Sequence, residues 1–310
     1  MKKYIKYYFA LPLIIVVVAV VMALCGHGIN YGIDFTGGLS IQYKMNAVVD
    51  SAVVSEAVKA NGIKDFTVTV QGVAKDELVL RIKDMTEDEV QVIRAGLDES
   101  LKKSYPDMNV NDVSTTMVGA TASRTLISNA IWSVLIAAAL MLIYIAIRFD
   151  FFSGIAAIAG LVHDVLIMCC FMGILSSIVQ LNSSFIAAML TIVGYSINST
   201  IVIFDRIREN NHKAELKALD SADRVVISVK ECLGRTINTN ITTLFTIVTL
   251  YILGVDSIRE FALPIIIGIL AGAYSSSLLS GFVWSFMLDK YGERRAAHKA
   301  AKAKKQPKKA

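Results

Sequence analysis

Long apolar runs constrain this 310-residue chain more than any other feature. Each is long enough, at about 1.5 Å per residue, to cross a hydrocarbon core of ~30 Å as a helix. Apolar residues make up 55% of the chain, which is outside the range of soluble domains. The sequence therefore predicts an α-helical integral membrane protein with six transmembrane helices. The runs cover about 8–24, 126–147, 155–178, 185–204, 236–253 and 258–288.

The first run follows a basic start, a pattern that a cleaved signal peptide would share. It lacks a small-x-small cleavage site, and five more runs follow, so we expect a retained helix. Six spans place both termini on one side. Lysine and arginine concentrate at the N-terminal start, in a long loop predicted at 205–230 and in the tail, so the positive-inside rule makes that side cytoplasmic. The tail is expected to touch anionic membrane lipids, and no nucleic-acid partner is expected.

Between the first two runs the chain has the pattern of a small soluble domain. Strands are predicted at 39–45, 66–70, 77–82 and 109–117, and helices at 49–60 and from a capping box at Thr86–Glu89 to about Lys103. The order βαββαβ is that of a ferredoxin-like α+β domain, here extracytoplasmic. It holds no histidine, no nucleophile with a neighbouring base and no metal-ligand cluster. We therefore expect an interaction domain, with no catalytic residue, metal or cofactor in the chain.

These boundaries divide the chain into four parts. They are an N-terminus with the first helix (1–28), the extracytoplasmic domain (29–122), a five-helix bundle (123–288) and a basic cytoplasmic tail (289–310). The four cysteines show no CxxC spacing and are interpreted as small apolar residues.

Two polar groups inside or beside the spans are candidates for function, because ionisable residues are costly in a bilayer. Asp164 follows His163 in the third span; the alternative is that it only ties helices together or stays protonated. Arg235 begins the fifth span, where a cation opposes the helix dipole. Snorkelling to headgroups is its alternative explanation.

Two motifs carry a family resemblance. Gly194-Tyr-Ser-Ile-Asn-Ser-Thr-Ile-Val-Ile-Phe-Asp-Arg-Ile-Arg-Glu-Asn210 resembles the fourth transmembrane helix of SecF, in the SecD/SecF family of protein-export proteins. Gly32-Ile-Asp-Phe-Thr-Gly-Gly38 is similar to the "GIDFTGG" signature after the first helix in that family. Without a following lysine and helix start, Gly37-Gly38 indicates a structural turn and not a phosphate cradle. Further matches extend over nearly the whole chain.

The resemblance implies one half of a core like that of resistance-nodulation-division transporters, with one helix before the soluble domain and five after it. It implies SecD as the partner, association with the SecY/SecE/SecG channel and with YajC and SecA, and unfolded secretory proteins as substrates. The expected location is the cytoplasmic membrane of a prokaryote. The expected activity is export driven by a proton or sodium gradient, in which the family's arginine at the position of Arg235 is needed. Asp34, Gly37, Gly38, Asp205 and Arg206 are expected to be structural or to contact the partner.

The chain departs from the family at Ser199, where the usual Asn-Asp-Thr becomes Asn198-Ser199-Thr200. Serine does not titrate in the physiological range, although its oxygen can accept hydrogen bonds or ligate a cation. Coupling could then depend on an acidic residue of SecD, on Asp164, or on sodium held by Ser199, Asn198 and neighbouring oxygens. A half-transporter for small molecules or lipids, and a scaffold without coupling, are the competing functions.

Overall fold

The computed structural model describes residues 5–291 other than 27, 72–75, 83–86, 107, 109–112, 177–178 and 217. Helix α1 (Ile5–Leu24) comes first and buries none of its side chains. A short helix α2 (Ile33–Thr36) then leads through Gly37 and Gly38 into the soluble domain. Both glycines have positive φ, 74° and 122°. Residues other than glycine rarely adopt this backbone conformation. The predicted turn is confirmed.

The soluble domain is a four-stranded antiparallel sheet covered by two helices. Its elements are β1 (Gly38–Lys44), α3 (Ser51–Ala60), β2 (Phe66–Gln71), β3 (Glu77–Ile82), α4 (Glu87–Ser104) and β4 (Val113–Val118), with strand order β2-β3-β1-β4. This is the predicted ferredoxin-like topology. The capping box expected at Thr86 and the start of the last predicted strand lie outside the described residues.

The core of this domain follows from the alternation of β1. Leu39, Ile41 and Tyr43 point to one face and are 0% exposed. They pack with apolar residues of β3, α3 and α4, among them Leu80, Val54, Val58, Leu97 and Leu101. Burial raises the pKa of the Tyr43 phenol, and the nearby carboxylate of Asp98 acts in the same direction.

The rest of the chain forms the helical bundle. It contains α5 (Ala120–Arg148), α6 (Phe151–Ile174), α7 (Ser183–His212), α8 (Ser221–Leu253) and α9 (Asp256–Tyr274). A π-helical turn (Ser275–Ser280) follows α9, and the helix then continues to residue 291. Six helices of the described residues, α1 included, are long and apolar enough to span a membrane. The protein is therefore a multi-pass membrane protein, as predicted.

The prediction of a long loop between the fourth and fifth spans is wrong. Helix α7 continues to His212 and α8 already begins at Ser221, so the connection is only the segment 213–220 with one 3₁₀ turn. The carboxylate of Asp220 caps α8 by accepting a hydrogen bond from the backbone of Asp223. Both helices continue past the apolar runs through charged residues, which are compatible with a helix although they end a hydropathic run.

Helices α7 and α9 pack closely in the middle of the bundle. A Cβ atom at Gly268 would lie 2.4 Å from Ile192, and one at Gly272 would lie 3.0 Å from the hydroxyl of Ser196. The Gly-x-x-x-Gly spacing thus provides the close approach that small residues allow between membrane helices.

Candidate functional site

Asp164 lies at the centre of the bundle and is 0% exposed. Its Oδ2 accepts hydrogen bonds from Ser196 on α7 and from Ser275 at the start of the π turn, the latter at 3.0 Å. Its Oδ1 lies 2.9 Å from Nδ1 of His163. Three helices therefore converge on one carboxylate, and donors compensate for its removal from water.

Glycines leave room for this cluster. A Cβ atom at Gly160 would lie 2.6 Å from the hydroxyl oxygen of Ser280 and 3.8 Å from that of Ser275. The Ser280 oxygen is buried and has no hydrogen-bond partner among the described residues. π turns inside α-helices occur frequently at functional sites, and this one places Ser275 against Asp164.

The His163 ring connects the cluster to α1. It stacks on Tyr274, with centroids 6.1 Å apart and planes at 20°. The Tyr274 hydroxyl donates a hydrogen bond of 2.8 Å to the carbonyl of Tyr8. That carbonyl is free because Pro12, four residues later in α1, has no N–H to donate to it. The two tyrosines thus tie the first helix to α9.

A second polar region lies on the outward face of α7 and α8. Arg235, Asn198 and a row of α8 side chains are exposed, and Ser199 is half-exposed. Among the described residues the Arg235 guanidinium has no hydrogen-bond or ion-pair partner. We call the α8 row, with Arg235, the threonine face. Its other members are Asn238, Thr239, Thr242, Thr246 and Thr249.

Contacts on both sides place Ser199 and Arg235 at a similar depth. Toward the end that faces the soluble domain, the Tyr195 hydroxyl lies within hydrogen-bond distance of Asn240 and Thr243 on α8. Toward the other end, Nε of Arg206 donates to Glu231 over 2.6 Å. Since α7 and α8 run antiparallel between these contacts, Ser199 and Arg235 share one level of the bundle.

The charged end of α7 is held by ion pairs. Arg206 also contacts Glu209, at 2.5 Å, and the Asn210 amide donates to Glu231 and to Ser228. Asp205 lies 3.8 Å from Arg148. These residues join α7 to α8 and to the α5–α6 hairpin.

At the opposite end, a polar cluster joins the soluble domain to the bundle. Both the backbone N–H and the hydroxyl of Ser183, the first residue of α7, donate to Asp34, at 2.8 and 2.6 Å. Arg81 on β3 lies 3.7 Å from Glu260 on α9, and Glu260 also accepts from Asn182. Burial lowers the pKa of Arg81, while the carboxylates of Glu260 and Asp34 oppose that shift. We call these five residues the outer cluster.

The predicted site residues thus fall into separate places. Asp164 is in the core, Asn198, Ser199 and Arg235 are on the outward face, and Asp34 and Asp205 are at opposite ends. Sequence analysis did not identify Ser196 or Ser275, which bind Asp164. Ser196 lies one helical turn before Ser199 and could have been found from that spacing, whereas nothing local to Ser275 marks it.

Comparisons with known proteins show which family has this architecture. The family described as "Protein export membrane protein SecD/SecF, C-terminal" matches residues 97–290, and the SecD/SecF GG motif matches residues 23–46. The protein translocase subunit SecF of Alicyclobacillus acidocaldarius is 36% identical over 87% of this chain and 86% of its own length. SecF of Thermodesulfovibrio yellowstonii is 35% identical over 89% of both chains.

A solved structure supports the same assignment. The crystal structure of SecDF from Thermus thermophilus, described as a translocon-associated membrane protein, superposes with a TM-score of 0.77 at 32% identity. The match covers 91% of this chain and 37% of that longer chain. The sequence motifs, the ferredoxin-like domain and the six-helix arrangement all agree with these relatives, and the chain belongs to the SecD/SecF family of protein-export membrane proteins.

Proposed function

We propose that this chain is the SecF subunit of a protein-export machinery. With a SecD partner it uses a transmembrane ion gradient to promote translocation of unfolded secretory proteins. The observation that carries the proposal is the threonine face of α8, where Arg235 is exposed on a helix that crosses the membrane. Arg235 begins the apolar part of its helix, and an arginine that faces lipid is costly there unless it snorkels, up to roughly 2.5–3.5 kcal/mol at the helix centre. A second helical bundle that covers this face would remove that cost.

The relatives indicate which bundle this is. In SecDF of Thermus thermophilus and of Bacillus subtilis, the region similar to this chain makes up 37% of a longer chain. We infer that SecD supplies the remainder here as a separate subunit. Asn198, Ser199 and Arg235 then lie at the interface between two halves, where an acidic residue of SecD can pair with Arg235. The SecY/SecE/SecG channel, with YajC and SecA, is the expected wider assembly.

The proposed topology places both termini in the cytoplasm of a prokaryote and the ferredoxin-like domain outside. The four-part division at residues 28, 122 and 288 belongs to this proposal. The outer cluster joins the domain to α9 and to the first residue of α7, the helix that carries Asn198 and Ser199. An ion moving through ~100 mV releases roughly 2.3 kcal/mol per charge, enough to bias such a link between two positions.

The proposal is tested by measuring secretion of a reporter protein that carries a signal peptide, in cells where this chain is the only SecF protein. We expect Arg235→Ala to lower secretion strongly while the chain still inserts, because the proposed interface with SecD loses its cation. Arg208→Ala is the matched control: among the described residues its guanidinium donates only to the backbone carbonyl of Arg148, the last residue of α5, so secretion should stay normal. Normal secretion from Arg235→Ala would contradict coupling at this face and favour a scaffold.

A further inference from the structure

Asp164 is the only aspartate, glutamate, lysine or arginine that is buried among the residues that the structure describes. A carboxylate in that position costs several kcal/mol unless donors surround it. Ser196, Ser275 and His163 provide such donors. The site is thus arranged to hold a negative charge inside the bundle, which is costly for a group that only fastens helices.

The neighbouring histidine is arranged to accept a proton. An ionised carboxylate only accepts hydrogen bonds, so Nδ1 of His163 carries the hydrogen of the 2.9 Å contact with Asp164. Nε2 of the neutral ring is then an acceptor. It is buried and has no partner among the described residues.

We propose that His163 and Asp164 form a proton-binding pair. A proton taken up at Nε2 of His163 is matched by transfer of the Nδ1 proton to Oδ1 of Asp164. The products are a neutral imidazole of the other tautomer and a neutral carboxyl, so one proton is bound and one negative charge disappears. This rests on the proposed function, in which an ion gradient drives the cycle, and it names the ion as the proton.

Three packed elements present polar groups to the pair. Helix α7 presents the Ser196 hydroxyl, the π turn presents Ser275, and α9 presents Tyr274. The Tyr274 hydroxyl is directed away to the carbonyl of Tyr8 on α1, so its ring, and not its proton, faces His163. Asp164 is therefore the carboxylate that receives the proton from His163.

Binding the proton changes the packing of the bundle. Hydrogen bonds to a charged acceptor are about twice as strong as those to a neutral one. Neutral Asp164 therefore holds Ser196 and Ser275 less firmly, and α9 is released from α6 at its π turn. The hydroxyl of Ser280 fills the room that Gly160 leaves beside that turn, and it has no hydrogen-bond partner among the described residues.

Infrared difference spectroscopy of the full chain in lipid, with its SecD partner, tests the pair while the pH is stepped. We expect the carbonyl band of a protonated carboxylic acid to appear as pH falls and to be lost in Asp164→Asn. Asp205→Asn, at an exposed carboxylate of the same bundle, should leave this band unchanged. Ser275→Ala should shift the frequency of this band, because the carboxyl group of Asp164 loses a hydrogen-bond partner. If Asp164→Asn fails to insert into the membrane, the measurement on Ser275→Ala still tests the pair.

His163→Phe tests the relay and keeps an aromatic ring against Tyr274. After a pH jump its band should form roughly 100-fold more slowly, the scale of a positioned proton-transfer group. A band that persists in Asp164→Asn, or that forms at the normal rate in His163→Phe, would overturn the pair. Normal secretion from Arg235→Ala with the band lost in Asp164→Asn would instead remove the proposed function and leave the proton pair standing.

Discussion

At the scale of single residues, the stability of the soluble domain depends on the protonated phenol of Tyr43. Its phenol is 0% exposed, and burial raises its pKa above the ordinary value. An unfolded chain releases this proton near pH 10, whereas the folded domain retains it. The contribution of Tyr43 to stability is therefore complete below about pH 10 and is lost as the pH rises toward the folded value.

Thermal unfolding of the full chain in detergent at increasing alkaline pH measures this effect. We expect the melting temperature of the wild type to fall above about pH 10, and Tyr43→Phe to reduce that fall. Tyr31→Phe, at a side chain that is 48% exposed, should keep the fall of the wild type. Identical alkaline curves for Tyr43→Phe and the wild type would show that another group unfolds the domain.

Residues also mark the limit of prediction from sequence. Asp164 and Arg235 were found because a charge in an apolar run is conspicuous without any partner in view. The hydrogen bond from Ser275 to Asp164 joins positions 111 residues apart. No local pattern encodes such a contact, because it depends on how α6 and α9 pack.

At the scale of elements, the α7–α9 contact depends on the absence of a side chain at Gly268. A Cβ atom there would lie 2.4 Å from Cγ1 of Ile192. Gly268→Ala should therefore separate the helices and cost roughly 1–3 kcal/mol, the usual penalty of overpacking. The melting temperature of the purified chain reports the loss.

Gly194→Ala is the matched control, since a Cβ atom at that position of α7 meets nothing within 4 Å. It should leave the melting temperature unchanged or raise it slightly, because alanine favours helix. Combining Gly268→Ala with Ile192→Ala should relieve the clash. Equal effects of the two glycine substitutions would mean that backbone propensity, and not the contact, is measured.

Helices and strands were predicted from the sequence more completely than contacts between single residues. Hydropathy identified all six spans and period-two alternation identified the sheet, because both depend on local sequence. The error concerned helix ends: α7 and α8 extend past the apolar runs on charged residues such as Arg206 and Glu231, which pair between helices. The π turn was also missed, since it follows from packing around Gly160 and Asp164.

At the scale of the whole molecule, the soluble domain and the bundle meet at the outer cluster. Asp34 bonds the first residue of α7, and Arg81 of the sheet faces Glu260 of α9. The same two elements hold Ser196 and, through the following π turn, Ser275 beside Asp164. A shift of α7 or α9 on proton binding, as proposed, would therefore reach the soluble domain through these contacts.

A charge exchange tests this link. Arg81→Glu alone and Glu260→Arg alone each place like charges opposite each other in a partly buried contact that measures 3.7 Å in the wild type, so secretion should fall in both. The double variant restores opposite charges, and secretion should recover most of its loss. The same exchange at Lys103 and Glu99, an exposed pair within α4, should be silent singly and together. If the double variant secretes no better than the worse single one, the domain receives its motion by another contact and Arg81 acts only within the sheet.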